Sequence, residues 1–240
     1  MTIQSQSNCP PRGSELGSAS RPVKRTLRRI LQAAALVLCV IAPPPTQSLW
    51  SAEDPTITRV EEDWRIEVGS PSPQDNAPQL INVISPLVDA QGVHCAFEVN
   101  HATLPDYTTG GTQLQTWDGN TPLSYKSGLK PQQLNKDNET ISYTISMSLS
   151  NNTLTYEVNS GHSETWGTFG NPGELKLTTP TTVTNLNAYT PVVSAKHSRV
   201  GFAKRRVKRF VLTEVRYHTQ SGQVITDSTE RVVHSYMPMP

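Results

Sequence analysis

TISYTISMSLSNNTLTYEV, residues 140–158, is the stretch on which the fold turns. Ile141, Tyr143, Ile145, Met147 and Leu149 alternate with Ser142, Thr144, Ser146 and Ser148, so one face is apolar and the other carries hydroxyls. Successive side chains leave a strand on opposite sides, and this period of two belongs to a half-buried strand. Asn151-Asn152 offers a tight turn, because asparagine tolerates the positive φ that such turns demand. Folding the chain there sets Leu149 against Leu154, Met147 against Tyr156 and Ile145 against Val158. Every apolar residue meets an apolar partner, whereas a slip of one residue would turn the whole set to the wrong face.

The same alternation spreads outward from this hairpin. Strands are expected at residues 57–68, 79–88, 92–100, 111–117 and 189–202, punctuated by Pro, Gly, Asn and Asp clusters. A second hairpin is expected around Ser221-Gly222, in a register that sets Arg216 opposite Asp227. No segment after residue 53 holds a helical period. About ten antiparallel strands in residues 53–240 imply an all-β, single-domain β-sandwich of jelly-roll type, with a barrel as the alternative.

Ahead of this domain, residues 1–22 read as a polar extension and residues 23–52 as a signal peptide. Arg21, Lys24, Arg25, Arg28 and Arg29 precede an apolar run from Ile30 to Ala42, which Pro43, Pro44 and Pro45 end. A spanning helix needs about 20 apolar residues, so the run has the length of a signal-peptide core. Cleavage is expected after Ser48 or Ala52. A retained anchor, a lipidated Cys39 and a twin-arginine signal at Arg28-Arg29 are the alternatives. Translation from Val23 through a GTG codon would give an ordinary-length leader.

Charge becomes informative once the leader is set aside. The whole chain is +1, but residues 53–240 hold 15 Lys and Arg against 19 Asp and Glu, a net of −4. Seven of those bases fall between Lys196 and Arg209, leaving the remainder strongly acidic. Of the three cysteines only Cys95 lies beyond the leader, where it reads as a small buried hydrophobe.

Catalytic signatures are sparse. In EEDWRIE (61–67), Glu61, Asp63 and Glu67 share a strand face with Arg65, a spacing that a glycan hydrolase or lyase could use. A solvated outer face explains the same pattern. His94, His101, His162, His197, His218 and His234 are scattered, so no metal site is expected. No nucleophile elbow, phosphate loop or dinucleotide fingerprint occurs, and no cofactor is expected.

Two binding candidates stand out. Trp117, Tyr125 and Trp166 sit in polar, turn-rich surroundings, and Trp117 shares its strand face with Gln113 and Gln115 beside Asp118. An exposed indole among amides suits a sugar ring, apolar face on the ring system and hydroxyls on the polar groups. The alternative is a β-bulge that turns Trp117 into the core. The second candidate is Lys204, Arg205, Arg206, Lys208 and Arg209, expected as an edge strand or the approach to one. Its basic residues suit either protection against edge pairing or an anionic surface polymer. Nucleic acid would answer the same electrostatics, but an exported protein is not expected to meet it.

NAPQLINVISP (76–86), HCAFEVNHATLPDYTTGGTQLQTWDG (94–119) and SGHSETWGTFG (160–170) resemble a set of exported all-β proteins of planctomycete bacteria. The likeness runs from about residue 57 to 236; it implies the fold class and export and carries no site residue. A looser likeness to concanavalin-type sandwiches rests on strand count and TWGTFG. The expectation is a non-enzymatic, exported β-sandwich of the bacterial envelope or exterior that binds a glycan or other surface component. It contacts the membrane only through an uncleaved leader. A structural protein contacting other envelope proteins is the second expectation, and a glycan-active enzyme the third.

Overall fold

The computed structural model describes residues 55–70, 77–100, 110–130, 134 and 136–236. The expected extension and leader, together with His101, lie outside the described residues. Two antiparallel sheets form the all-β sandwich, numbered here along the chain. The larger contains β1 (Ile57–Val68), β6 (Glu139–Ser150), β7 (Thr153–Ser163), β8 (Gly167–Phe169), β9 (Lys176–Pro180), β11 (Val207–Thr219), β12 (Val224–Asp227) and β13 (Arg231–Ser235). Its order is β12-β11-β1-β6-β7-β8, with β13 pairing β11 and β9 pairing β7. The smaller runs β10-β2-β3-β4-β5, from β10 (Arg199–Val200) through β2 (Leu80–Ile84), β3 (Val93–Val99) and β4 (Gly110–Asp118) to β5 (Thr121–Lys130).

The hairpin at residues 140–158 forms in the expected register, with Leu149 opposite Leu154, Met147 opposite Tyr156 and Ile145 opposite Val158. Asn151 and Asn152 take φ of 48° and 57°, the left-handed pair that matches strand twist. Inner-face residues of both sheets meet in one core. Phe97 of β3 packs edge-on against Tyr143 of β6 at 4.9 Å, and Trp64 lies 5.2 Å from Phe210. Cys95 is fully buried in that core, and burial pushes its thiol well up. At one end a glycine makes room for an aromatic: Gly161 pairs with Phe169, and a Cβ there would lie 2.4 Å from the ring.

Three local expectations are corrected. Residues 189–202 are not a strand: Pro191–His197 form α1, and only Arg199–Val200 join a sheet. Thr190 caps the helix by accepting from Val192 N, and Pro191 opens it with a φ already suited to helix. Those end signals outweigh the strand preference of Val192 and Val193.

The second hairpin closes through Gln220, Ser221 and Gly222, with Gly222 at φ 86°. One extra loop residue moves the register by one, so Arg216 faces Thr226 and Val215 faces Asp227.

The basic run is not an edge strand. Lys204–Arg206 make a single 3₁₀ turn, and β11 is flanked by β1 on one side and by β12 and β13 on the other. Arg206 is only 3 % exposed, and its Nη2 donates to the carbonyls of Gly69 and Leu134, both at 3.2 Å. Arg206→Ala is expected to cost about 3 kcal/mol, the scale for losing charged hydrogen bonds and leaving buried carbonyls without donors. Lys204→Ser, on the exposed part of the turn, is expected to stay within about 0.5 kcal/mol. Urea unfolding of the two variants checks the contrast, and equal losses would remove Arg206 from its structural role.

Candidate functional site

The outer face of the five-stranded sheet carries a cleft, and cross-strand pairing dictates which residues share that face. Ile81 pairs with Arg199 on one side and Glu98 on the other, and Glu98 pairs with Gln113. The next row is Val83, Ala96, Gln115 and Tyr125, and the third holds His94 and Trp117. Directly opposed residues in an antiparallel sheet project to the same face, so all of these point away from the main core. Ile81, Val83 and Ala96 form a small apolar cluster of their own, against which Trp117 packs. The cleft has a volume of about 300 Å³.

Trp117 is half-buried and stays on the face of Gln113 and Gln115. A bulge does occur beside it, but the extra residue is Leu123 of β5, and β4 itself runs straight against β3. The expected alternative, a bulge that turns Trp117 into the core, is thereby corrected. A relay of hydrogen bonds fixes the indole: Trp117 Nε1 donates to Gln115 Oε1 at 3.0 Å, and Gln115 Nε2 donates to Gln113 Oε1 at 2.7 Å. Gln113 Nε2 closes the relay on Ser127 Oγ at 2.8 Å. The amides hold one another in place, which lowers the entropy a ligand would have to remove. Tyr125 lies beyond Gln115 on the same face, 72 % exposed.

The other aromatic candidate goes elsewhere. Trp166 packs edge-on against Phe169 at 6.3 Å, beside the main core of the sandwich. Its turn is pinned by Glu139, which is fully buried and accepts from Ser163 Oγ, Thr165 N and Thr165 Oγ1. Asp118, next to Trp117, faces the opposite way and lines a second cleft with Pro86, Leu87 and Val183. The structure therefore unites Trp117, Gln113, Gln115 and Tyr125 and separates Trp166 and Asp118 from them.

The basic candidates are likewise dispersed. Arg206 is buried, Lys208 Nζ donates to Asn138 Oδ1 at 2.5 Å, and Arg209 pairs with Glu230 at 2.5 Å. Lys204 and Arg205 remain on the exposed side of the 3₁₀ turn.

On β1, Glu61 and Asp63 do share a face, and Arg216 reaches across to both, with Glu214 as a third partner. Burial pushes the Glu61 carboxyl up, but hydrogen bonds from Arg216 and His218 outweigh it and hold the group below its usual range. A general acid of a glycan hydrolase needs the opposite shift. Glu67 pairs with Arg65 at 3.3 Å.

Three features escaped the sequence reading. His94 and His197, far apart in the chain, line the same cleft as Arg199. Nothing local signals that meeting, because the β10–β2 pairing creates it. The third, Glu62, had a signal: it falls on the apolar face of β1 between Val60 and Trp64. It is fully buried and accepts from Trp64 Nε1 at 2.9 Å and Tyr189 Oη at 2.7 Å. Burial raises its carboxyl to about 7 despite those bonds. Tyr189 leads directly into α1, and Ser198 at the far end of that helix accepts from Val83 N at 3.0 Å. The core thus anchors both ends of the segment that delivers His197 and Arg199.

Among the described residues no group of three or more His, Cys, Asp and Glu is placed to hold a metal ion, and no helix is long and apolar enough to cross a membrane. No family model matches the chain, and no curated protein matches it in sequence.

Proposed function

We propose that this protein is an exported, non-enzymatic binding module of the bacterial envelope or exterior, and that the outer face of its five-stranded sheet grips a glycan. The observation that carries the reading is Trp117, held on an open sheet face by its bond to Gln115 and bordered by further amides and histidine. Sugar rings combine apolar C–H faces with rims of hydroxyls. A fixed indole beside planar hydrogen-bonding side chains answers both at once. The clearest pair of carboxylates is tied to Arg216 on the other sheet, away from this cleft, which favours binding over hydrolysis.

A glycan array with the purified protein tests the reading. Trp117→Ala is expected to lower affinity by about tenfold or more, as truncating a central aromatic anchor does, without unfolding the protein. Absence of any glycan binding, or binding indifferent to Trp117→Ala, would overturn it.

A second reading, a structural protein that contacts other envelope proteins, is favoured by β5. This strand closes the sheet as an edge, and Leu123 and Tyr125 on it are 47 % and 72 % exposed. Such an edge is a template for pairing with another chain. Protein cross-links concentrated on β5, with no glycan bound, would favour it.

A further inference from the structure

The cleft is polar at both ends but not symmetric in charge, and this asymmetry names a class of ligand. Resting on the glycan reading above, we propose that the ligand is an acidic saccharide, with a ring seated on Trp117 and its carboxylate or sulfate held by Arg199.

Arg199 opens β10 and projects to the outer face opposite Ile81, while the next residue, Val200, is buried on the inner side. Its side chain is exposed, lines the cleft and has no ion pair with any described residue. Several of the other polar groups are already engaged. The amides of Gln113 and Gln115 bond to one another, and Glu98 Oε2 accepts from Gln79 Nε2 at 3.2 Å. His94 Nδ1 lies 2.9 Å from the carbonyl of Gly92, and a carbonyl can only accept, so Nδ1 carries a proton in that bond. Arg199 alone brings a planar fork of charged donors to the cleft with no acceptor assigned, and that fork matches a carboxylate or sulfate in two-point contact.

The layout gives the ligand a direction. From β4 to β10 are three strand spacings, about 14 Å, so one hexose ring does not reach from Trp117 to Arg199. The diagonal between them passes over Ala96, Val83 and Ile81, an apolar floor suited to C–H faces. Glu98 stands beside that path in the row of Arg199, where it repels an acid from the middle of the cleft. His197, two residues before Arg199, lines the cleft as well and adds a further donor at that end.

Titration calorimetry decides the matter with three probes: tetragalacturonate, its methyl ester and a sulfated galactan tetrasaccharide. Tetragalacturonate is expected to bind about tenfold more tightly than the ester, the scale of one charged hydrogen-bonded contact. The gap should close in Arg199→Gln and survive in part in Arg199→Lys, which keeps the charge and loses the fork. Whichever acid gains more from Arg199 identifies the group recognised. Arg199 is exposed, so unchanged melting of both variants is expected alongside. Equal affinity for acid and ester, or a gap that persists in Arg199→Gln, overturns the acidic-ligand proposal and leaves the glycan reading intact. Failure of the wild-type protein to bind any of the three, together with a blank neutral array, overturns both.

Discussion

Phe169→Ala is expected to destabilise the protein by about 3–5 kcal/mol, and in that background Gly161→Ala, harmful by itself, is expected to turn neutral or favourable. Phe169 is among the largest fully buried side chains and sits between Phe97 at 6.5 Å and Trp166 at 6.3 Å, so its removal opens a cavity that three-residue β8 cannot collapse to fill. Its ring lies directly over Gly161 on the neighbouring strand. A Cβ there would come within 2.4 Å of the ring and force it out of the core. Gly161→Ala alone should therefore cost about 1–3 kcal/mol, the range for overpacking. Without the ring the obstacle is gone, and alanine regains about 0.5–1 kcal/mol of chain entropy that glycine loses inside a strand. A double-mutant cycle by urea unfolding reads the change of sign directly. Additive effects would mean that the ring and the glycine do not interlock.

Glu62 carries the second large effect, as a dependence on pH. Its ordinary value is 4.5, and burial in the folded protein raises it to about 7. The native state therefore prefers the neutral acid. Its contribution to stability is complete below pH 4.5 and drains away as pH rises through 7, by about 3 kcal/mol in all. Other groups titrate over the same span, so the informative quantity is the difference between wild type and Glu62→Gln. Glutamine keeps an oxygen for Trp64 Nε1 and offers its amide to the Tyr189 oxygen, yet cannot ionise. The wild type should lose about 3 kcal/mol more than Glu62→Gln between pH 4.5 and pH 9. Parallel stability curves would show that Glu62 does not enter the fold as a neutral acid. The consequence reaches the cleft, since Tyr189 and Ser198 anchor the segment that carries His197 and Arg199.

The places where local patterning misled are instructive. TPVVSAKH at 190–197 contains strong helix ends around a strand-like middle, and the ends prevailed because Thr190 and Pro191 satisfy or remove backbone donors that would otherwise stay open. The hairpin at Gly222 slipped by one because a glycine with positive φ allows a three-residue loop as readily as a two-residue one. Alternation also drew the basic run as a continuous strand, although Ala203 at φ 51° starts a tight turn there instead.

Sequence alone determined the all-β class, the span of β1, the register of the 140–158 hairpin and the shared face of Gln113, Gln115 and Trp117. Each rests on the two-residue period of a strand or on a local turn, and both are properties of neighbouring residues. Tertiary structure alone decided that Arg206 enters the interior, that Trp166 packs against the main core, and that Arg199, His197 and His94 come to line one cleft with Trp117. Those outcomes depend on which strands become neighbours, and long-range pairing such as β10 with β2 leaves no periodic trace in either segment.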